Sequence, residues 1–188
     1  ARRATSPVAE PYATLDDLKR MRSIADAADD ELLTLALSTA SRRIDDRCGR
    51  RFGLSAPSPR VYGAAGRVTP DGRLLVDDIG SLDGLLVETG WGTSWSPAAG
   101  WDPGPPSAPG DGWPYTELVG HWAGRVRVTA RWGWPEVPEA IRMATLLLAS
   151  RLFLRKNSPE GVLQSAEWGS IRVSRWDPDV DALLAPYI

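Results

Sequence analysis

The sequence predicts an α+β fold, mainly a helical bundle core with a small antiparallel β insertion between the second and third helices. Two observations indicate this. Residues 137–156 form an apolar run whose side chains cover several faces of a helix, as in a buried central helix. Residues 57–134 consist instead of short β-prone runs broken by Gly, Pro and Asp. We therefore expect one domain over residues 1–188, with its helical core in 12–56 and 135–188.

The first helix is predicted over residues 14–22. Thr14 is suited to cap it, and Asp17 stands where a capping box places an acidic side chain that reaches back to the cap. Residues 1–11 precede it with almost no apolar periodicity. We expect this tail to be flexible unless a partner orders it.

The second helix is predicted over residues 28–48. Acidic side chains fill its first turn, and Gly49 offers a left-handed cap at its end. Its C-terminal half is crowded with arginine, interleaved with Asp45 and Asp46. Its apolar face consists of Leu33, Leu37, Ala40, Ile44 and Cys48.

The strand candidates are short runs separated by turn residues. The clearest covers residues 125–132, where Val and Ala alternate with Arg and Thr, so that one face is apolar and the other polar. The other three candidates are 60–62, 73–76 and 84–88. Residues 96–112 are rich in Pro and Gly and have almost nothing to fill a core. Such a structureless stretch is expected to be a binding loop or to be disordered.

The central helix is predicted over residues 137–156, with Pro138 at its first helical position and with Leu148 and Leu152 in the core. A strand is expected at 170–174. A last helix is expected over 178–185, after Asp177 as its cap.

The composition is that of a globular protein with an emphasis on residues that favour interfaces. The formal net charge is -2, which argues against bulk attraction to nucleic acid. Only two of the 22 basic residues are lysines, and there are nine tryptophans; Arg and Trp dominate contact energies at protein interfaces. A single cysteine, no signal peptide and no membrane-length apolar segment predict a soluble intracellular protein.

The sequence offers little material for catalysis. His121 is the only histidine, which excludes a metal site built from several histidines. A nucleophilic pair of Cys48 and His121 is formally possible, but a buried thiol and an unrelated imidazole is the simpler interpretation. Three of the four Asp-Asp pairs lie on or before helices, where capping explains them. We expect no catalytic, cofactor-binding or metal-binding residues.

Two stretches of the chain resemble a known class of viral proteins. The first consists of residues 12–18, 29–33 and 40–52, and the second of 133–141, the central helix, 157–161 and 177–187. In their order and spacing they are similar to the head-tail connector (adaptor, or head completion) proteins of long-tailed double-stranded DNA phages. Residues 56–134 are longer than the corresponding part of the simplest all-helical members.

This resemblance implies a structural protein of the virion at the head-tail interface, assembled in the host cytoplasm. It implies a homo-oligomeric ring, expected to be twelve-fold, beneath the portal protein. The ring would close the DNA-filled head together with stopper or tail proteins and would give the tail its attachment platform. Double-stranded DNA would pass through the lumen without sequence-specific binding. No cofactor and no membrane are implied.

The two chain ends and the loop 96–112 are the expected partner-binding parts. Residues 1–11 and 96–112 have too few apolar side chains to repay the entropy of being fixed alone. The last helix is too short to be stable by itself, so its apolar face must dock on its own bundle or on the portal. The candidate partner-binding residues are Arg2, Arg3, Trp101, Trp176, Val180, Leu183, Leu184 and Tyr187.

Two other functions remain open from the sequence. The first is an Arg-rich DNA-binding regulatory protein that reads DNA with the second helix. The second is a Trp-lined carbohydrate-binding or hydrolytic domain, built on Trp91, Trp95, Trp101 and Trp113.

Overall fold

The computed structural model describes residues 10–155, 162–165, 169–172 and 178–188. The chain divides into two compact units, a helical unit formed by Ala1–Gly49 with Pro138–Ile188 and a sheet unit formed by Arg50–Val137. In chain order, the elements are α1 (Leu15–Arg22), α2 (Asp30–Cys48), β1 (Ser58–Gly63), β2 (Arg73–Trp91), β3 (Ser94–Pro97), β4 (Asp102–Gly104), α3 (Ala108–Asp111), β5 (Tyr115–Val119), β6 (Arg125–Trp132), α4 (Glu139–Leu154), β7 (Val162–Ser165), β8 (Gly169–Arg172) and α5 (Pro178–Leu184).

The start of α1 and the end of α2 confirm the sequence prediction, whereas α2 begins at Asp30 rather than at residue 28. The side chain of Thr14 accepts a hydrogen bond from the Asp17 backbone N–H at 3.1 Å. Hydrogen bonds from the side chain and backbone of Thr14 in turn lower the pKa of the Asp17 carboxyl. Gly49 ends α2 in the left-handed conformation, with its N–H on the Asp45 carbonyl. These contacts satisfy backbone groups that a helix end otherwise leaves unpaired.

The helical unit has its own apolar core. The predicted core residues Leu37, Ile44 and Leu148 are buried, whereas Leu152 is only partly buried. Pro138 is the residue before α4 rather than its first helical residue, since its backbone is extended. The 3-10 turn Ala185–Tyr187 follows α5, and β7 and β8 form a separate antiparallel hairpin. The expected strand at 170–174 overlaps β8, and its last two residues lie outside the described part of the chain.

The sheet unit is built around the 19-residue strand β2. Its six antiparallel strands follow the order β1-β6-β2-β5-β4, and β3 pairs with β2 outside this path. The first part of β2 pairs with β5, the second part with β6, and its end with β3. Shifts in register interrupt β2 between Leu75 and Ile79, between Ile79 and Ser81, and between Ser81 and Leu86. Such irregularities bend a strand and increase its twist.

One face of this sheet encloses a second hydrophobic core. The strand β6 shows the predicted alternation, with its Val and Ala side chains buried and its Arg and Thr side chains more accessible. The buried members of this core are Tyr62, Leu74, Val76, Ile79, Val87, Leu118, Val126, Val128, Ala130 and Trp132. The sheet unit therefore does not depend on the helices for a core of its own.

The predicted fold class is wrong in its proportions. The chain is α+β, but a six-stranded sheet with its own core replaces the expected small insertion in a helical bundle. The reason lies in β2, which the sequence showed only as two short runs, 73–76 and 84–88. Gly80, Gly84 and the register shifts between the runs break the alternation that identifies a strand.

The expectation of a structureless stretch over residues 96–112 is also wrong. This stretch contains the end of β3, the whole of β4 and the short helix α3. Pairing with β5 holds β4 in place, and Gly104 and Ala108 are buried. The stretch therefore gains its structure from tertiary pairing, which local composition does not reveal.

The two ends of the sheet unit lie side by side. The Ser55 backbone N–H donates to the Trp132 carbonyl at 2.8 Å, and the Ser55 hydroxyl accepts from the Trp132 backbone N–H at 3.0 Å. Gly133 has φ of 109°, a conformation that favours glycine, and a Cβ there would overlap the carbonyl oxygen of Gly53. The chain therefore enters and leaves the sheet unit at nearly the same point.

Candidate assembly surfaces

Three of the eight predicted partner-binding residues, Arg2, Arg3 and Trp176, lie outside the described residues. Four of the others belong to the C-terminal segment. Val180 and Leu184 are fully buried in the helical unit, while Leu183 and Tyr187 are only partly buried. Of the larger apolar side chains in this segment, Leu183, Tyr187 and Ile188 are therefore the ones accessible to a partner, and Ile188 is 60% exposed.

Trp101, the remaining predicted site residue, is partly buried against the sheet core. Its indole N–H donates to the Ala98 carbonyl at 3.1 Å. Trp113 has a different setting, since its ring lies 4.8 Å from that of Trp134. The other two tryptophans considered for a carbohydrate site lie on the β2–β3 hairpin. The four side chains thus fall into three separate surroundings and gain no support as one binding platform.

An accessible surface of the sheet combines arginine and tryptophan. We call Trp91, Trp95, Arg125, Arg127 and Glu88 the Arg–Trp face. The Arg125 guanidinium lies 4.5 Å from the centroid of the Trp91 ring, and that of Arg127 lies 4.6 Å from the centroid of Trp95. Trp91 is nevertheless 68% exposed. Cation–π contacts at exposed sites are worth about 0.5–1 kcal/mol each, so they orient these side chains without covering them.

Register explains why these residues meet. Arg127 lies opposite Glu88 across the β2–β6 pairing, while Gly90 lies opposite both Arg125 on β6 and Trp95 on β3. A Cβ at Gly90 would overlap the Ser94 carbonyl oxygen, so only glycine allows β3 to approach this closely.

The Glu88 carboxylate fixes the orientation of Arg127. The Arg127 Nε and Nη2 atoms donate to the two carboxylate oxygens at 2.6 and 2.7 Å. These hydrogen bonds lower the pKa of Glu88 and raise the pKa of Arg127. Such two-point pairing holds the planar guanidinium in a defined orientation. Arg125 has no such partner, because its only described contact is with the Trp91 ring.

Charge is segregated along the sequence of the sheet unit. Residues 74–124 contain seven Asp or Glu and no Lys or Arg. By contrast, residues 50–67 and 125–131 contain seven arginines and no acidic residue. The strand β6 is therefore basic, while the segment from β4 to β5 is acidic.

The arginines at the end of the second helix are largely paired within the chain. Arg42 forms an ion pair with Asp45 at 2.7 Å, and Arg47 forms one with Asp181 at 3.2 Å. Arg42 also lies over the Tyr12 ring, with 5.3 Å between its guanidinium carbon and the ring centroid. These contacts weaken the hypothesis that α2 reads DNA, because a phosphate contact requires an available cation.

A buried aromatic cluster occupies the junction of the two ends of the sheet unit. Trp134 is 1% exposed, and its ring lies 5.3 Å from Phe52 and 4.8 Å from Trp113. Its indole N–H donates to the Asp78 carboxylate at 3.2 Å. Burial raises the pKa of Asp78, although Arg50 at 3.7 Å opposes the shift. Trp134 and Phe52 are fully buried and support the fold, while Trp113 remains 40% exposed.

Cys48 and His121, the residues considered as a nucleophilic pair, belong to different units of the chain. Cys48 is buried in the helical unit, as the sequence predicts for a small apolar side chain, and His121 is exposed in the sheet unit. No group of three His, Cys, Asp or Glu side chains able to hold a metal occurs among the described residues. Within the same residues, no helix has both the length and the apolar character needed to cross a membrane.

Sequence reasoning missed the Arg–Trp face. The alternation in β6 places Arg125 and Arg127 on one side of a strand, which is a usable signal. Their contact with Trp91 and Trp95 depends on the register of β6 against β2 and of β2 against β3. Sequence spacing alone does not give that register.

Comparison with solved structures gives a similarity in fold. No family model matches the sequence, and no curated protein matches it. Among solved structures, the chain is similar to one described as "Neck of empty GTA particle computed with C6 symmetry". The TM-score is 0.59 at 15% sequence identity, and the match covers 100% of this chain and 93% of the other. At this identity the similarity establishes a shared fold.

Proposed function

We propose that this chain is a structural protein of the neck of a tailed phage or phage-like particle, where it joins the head to the tail. One observation carries the proposal: the shared fold covers the whole of this chain and nearly the whole of a chain from such a neck. The sequence resemblance to head-tail connectors points to the same class from residues at both ends of the chain. Fold alone does not imply function. The sequence resemblance therefore supports the assignment in addition to the shared fold.

In this proposal, the chain acts as the adaptor. Copies form a ring beneath the portal protein, which closes the filled head with stopper or tail proteins and provides the platform for the tail. The C6 symmetry of the related neck is compatible with rings of six or twelve copies, the latter being the order that the resemblance implies. Double-stranded DNA passes through this ring without sequence-specific contacts.

A structural role also fits the chemistry of the chain. The ion pairs on α2 leave few arginines for phosphate contacts, and the Cys48 side chain is buried, where a substrate would not reach it as a nucleophile. We therefore propose that the protein is not an enzyme. The Cys48→Ser, His121→Ala double variant should assemble particles that remain competent for DNA delivery. Folded variant protein in complete but inactive particles would contradict this part.

Loss of the protein in a particle-producing host tests the neck assignment. A stop codon early in its gene should yield heads and tails that fail to join, visible as separate structures by negative-stain electron microscopy. Expression of the wild-type chain from a plasmid should restore complete particles and serves as the control. Complete tailed particles in normal numbers without the protein would overturn the proposal.

A further inference from the structure

The sheet unit presents a second surface that differs in character from the Arg–Trp face. We call residues 102–114 the proline loop; it contains β4 and α3. Pro106 and Pro109 are exposed along it, as are the carboxylates Asp102 and Asp111. The loop has no basic residue. It is therefore an acidic, proline-bearing surface held in place by the pairing of β4 with β5.

The two surfaces occupy different parts of the sheet. The proline loop joins the first half of β2 through β5, whereas the Arg–Trp face lies at the end of β2, on its pairing with β3 and β6. Each surface keeps charged side chains without an ion-pair partner in the described chain, although Arg127 is paired with Glu88. Asp102 and Asp111 have no ion-pair partner there, and Arg125 contacts only the Trp91 ring.

We infer that the proline loop of one copy of this chain docks on the Arg–Trp face of the next copy. Arg125 pairs with Asp102 or Asp111 of the neighbour, and the exposed ring of Trp91 packs against the neighbour's Pro106 or Pro109. Aromatic surfaces are a common recognition site for proline-bearing segments. The complementary charges provide orientation as well as attraction.

A contact between two different surfaces has a definite consequence for assembly. Each copy offers one face and one loop, so every copy bound leaves another face and another loop available. Such a heterologous contact closes into a ring when the rotation between copies fits, and otherwise gives an open filament. The inference thus rests on the proposed ring, for which it specifies the surfaces that join neighbouring copies.

Charge reversal tests the contact directly. Arg125→Glu changes the face, and the Asp102→Arg, Asp111→Arg double variant changes the loop. Each variant sets like charges against each other and should raise the apparent dissociation constant of self-association at least about tenfold, measured by sedimentation velocity. An equimolar mixture of the two variants should associate again, because each face then meets a loop of opposite charge. The inference is overturned if either folded variant still associates by itself, or if the mixture of the two variants does not associate.

Two further variants separate the contact from general effects. Arg67→Glu makes the same change of charge at an exposed arginine outside the Arg–Trp face, and should leave self-association unchanged. Trp91→Ala removes a ring that is 68% exposed and should weaken association without loss of folded structure by circular dichroism. Equal weakening by Arg67→Glu would count against a specific site.

The wild-type protein provides a test that needs no variant. Raising the salt concentration from about 0.1 M to about 1 M shortens the Debye length from about 10 Å to about 3 Å, so a contact of this kind weakens. Association that is independent of salt, or a wild-type chain that stays monomeric, overturns the inference.

These outcomes are separable from those of the neck assignment. Rings that persist in both charge variants refute the contact and leave the neck function intact. Complete particles without the protein refute the neck function and leave the contact intact.

Discussion

Truncation of the buried Trp134 should be among the most damaging single changes in the sheet unit. Replacing a buried Trp by Ala typically costs about 3–5 kcal/mol of unfolding free energy. We expect the upper part of that range, since the ring is 1% exposed and lies between Phe52 and Trp113. Each aromatic pair adds about 0.5–1.5 kcal/mol beyond area burial. The variant also leaves Asp78 without its indole donor at 3.2 Å.

Comparison with two other variants identifies the source of the loss. Trp134→Phe keeps a ring at this position but removes the N–H group, and should cost about 1.5–3 kcal/mol, the cost of one hydrogen bond to a charged group. Trp91→Ala removes a tryptophan that is 68% exposed, and should change stability by less than about 0.5 kcal/mol. Both alanine variants lose one tryptophan of the nine, so their spectroscopic signals remain comparable.

Urea unfolding followed by near-ultraviolet circular dichroism measures this difference, because that signal reports fixed tryptophan packing. The free energy of unfolding of the whole chain is expected to be only about 5–15 kcal/mol. A loss of about 4–5 kcal/mol would therefore lower the urea concentration at the midpoint of unfolding by a clearly measurable amount. A Trp134→Ala variant within about 1 kcal/mol of the wild type, or equal to Trp91→Ala, would refute the buried-cluster reasoning.

Three other predictions concern single residues. Burial raises the pKa of Asp78 in the folded state. As the pH rises above about 4, Asp78 therefore ionises in the unfolded chain before it ionises in the folded one, and the free energy of unfolding falls. The advantage of the wild type over Asp78→Asn in urea unfolding should therefore shrink between about pH 3 and about pH 7, and an advantage that grows would contradict this. Gly133→Ala sets a Cβ against the Gly53 carbonyl at a φ of 109° and should lower the thermal midpoint by several degrees; an unchanged midpoint would argue against the close approach. Leu148→Asp buries a charge and should abolish soluble expression, whereas the control Leu35→Asp, at a position 62% exposed, should express normally.

The helices could be predicted from the sequence because their signals are local. Thr14 and Gly49 mark helix ends through contacts within a few residues, and the apolar spacing of Leu37 and Ile44 follows a single helical period. The burial of Leu148 follows in the same way. Leu152, although it is on the same apolar run, lies near the end of α4 and is only partly buried.

The sheet could be predicted only in part, since its pairing is long-range. The regular alternation of β6 is visible in the sequence, but β2 contains Gly80, Gly84 and three shifts in register. The strand β4 consists of Asp102, Pro103 and Gly104, three residue types that are depleted in strands. Its pairing with β5 decides its conformation, and no local pattern indicates that pairing.

The two candidate surfaces also differ in how far they can be predicted from the sequence. The proline loop is recognisable from its composition, and residues 96–112 were expected from the sequence to bind a partner or to be disordered. The Arg–Trp face requires Arg125 on β6 to meet Trp91 at the end of β2, which only the register between the two strands provides. Apolar spacing likewise places Val180 and Leu184 on one face of α5 but leaves open whether that face docks on the chain's own bundle or on a partner; both side chains are fully buried within the chain.

The adjacency of the two ends of the sheet unit also affects the order of folding. The helices α2 and α4 pack together although the roughly 90 residues of Arg50–Val137 separate them in sequence. Closing an unstructured loop costs about 0.6 kcal/mol for each doubling of its length. Once Gly133 lies against Gly53, that span behaves as a connection of a few residues, about four doublings shorter, and the entropic cost of docking α4 on α2 falls by roughly 2–3 kcal/mol. A folded sheet unit thus shortens the effective connection between α2 and α4. It favours a folding order in which Arg50–Val137 folds before these two helices meet.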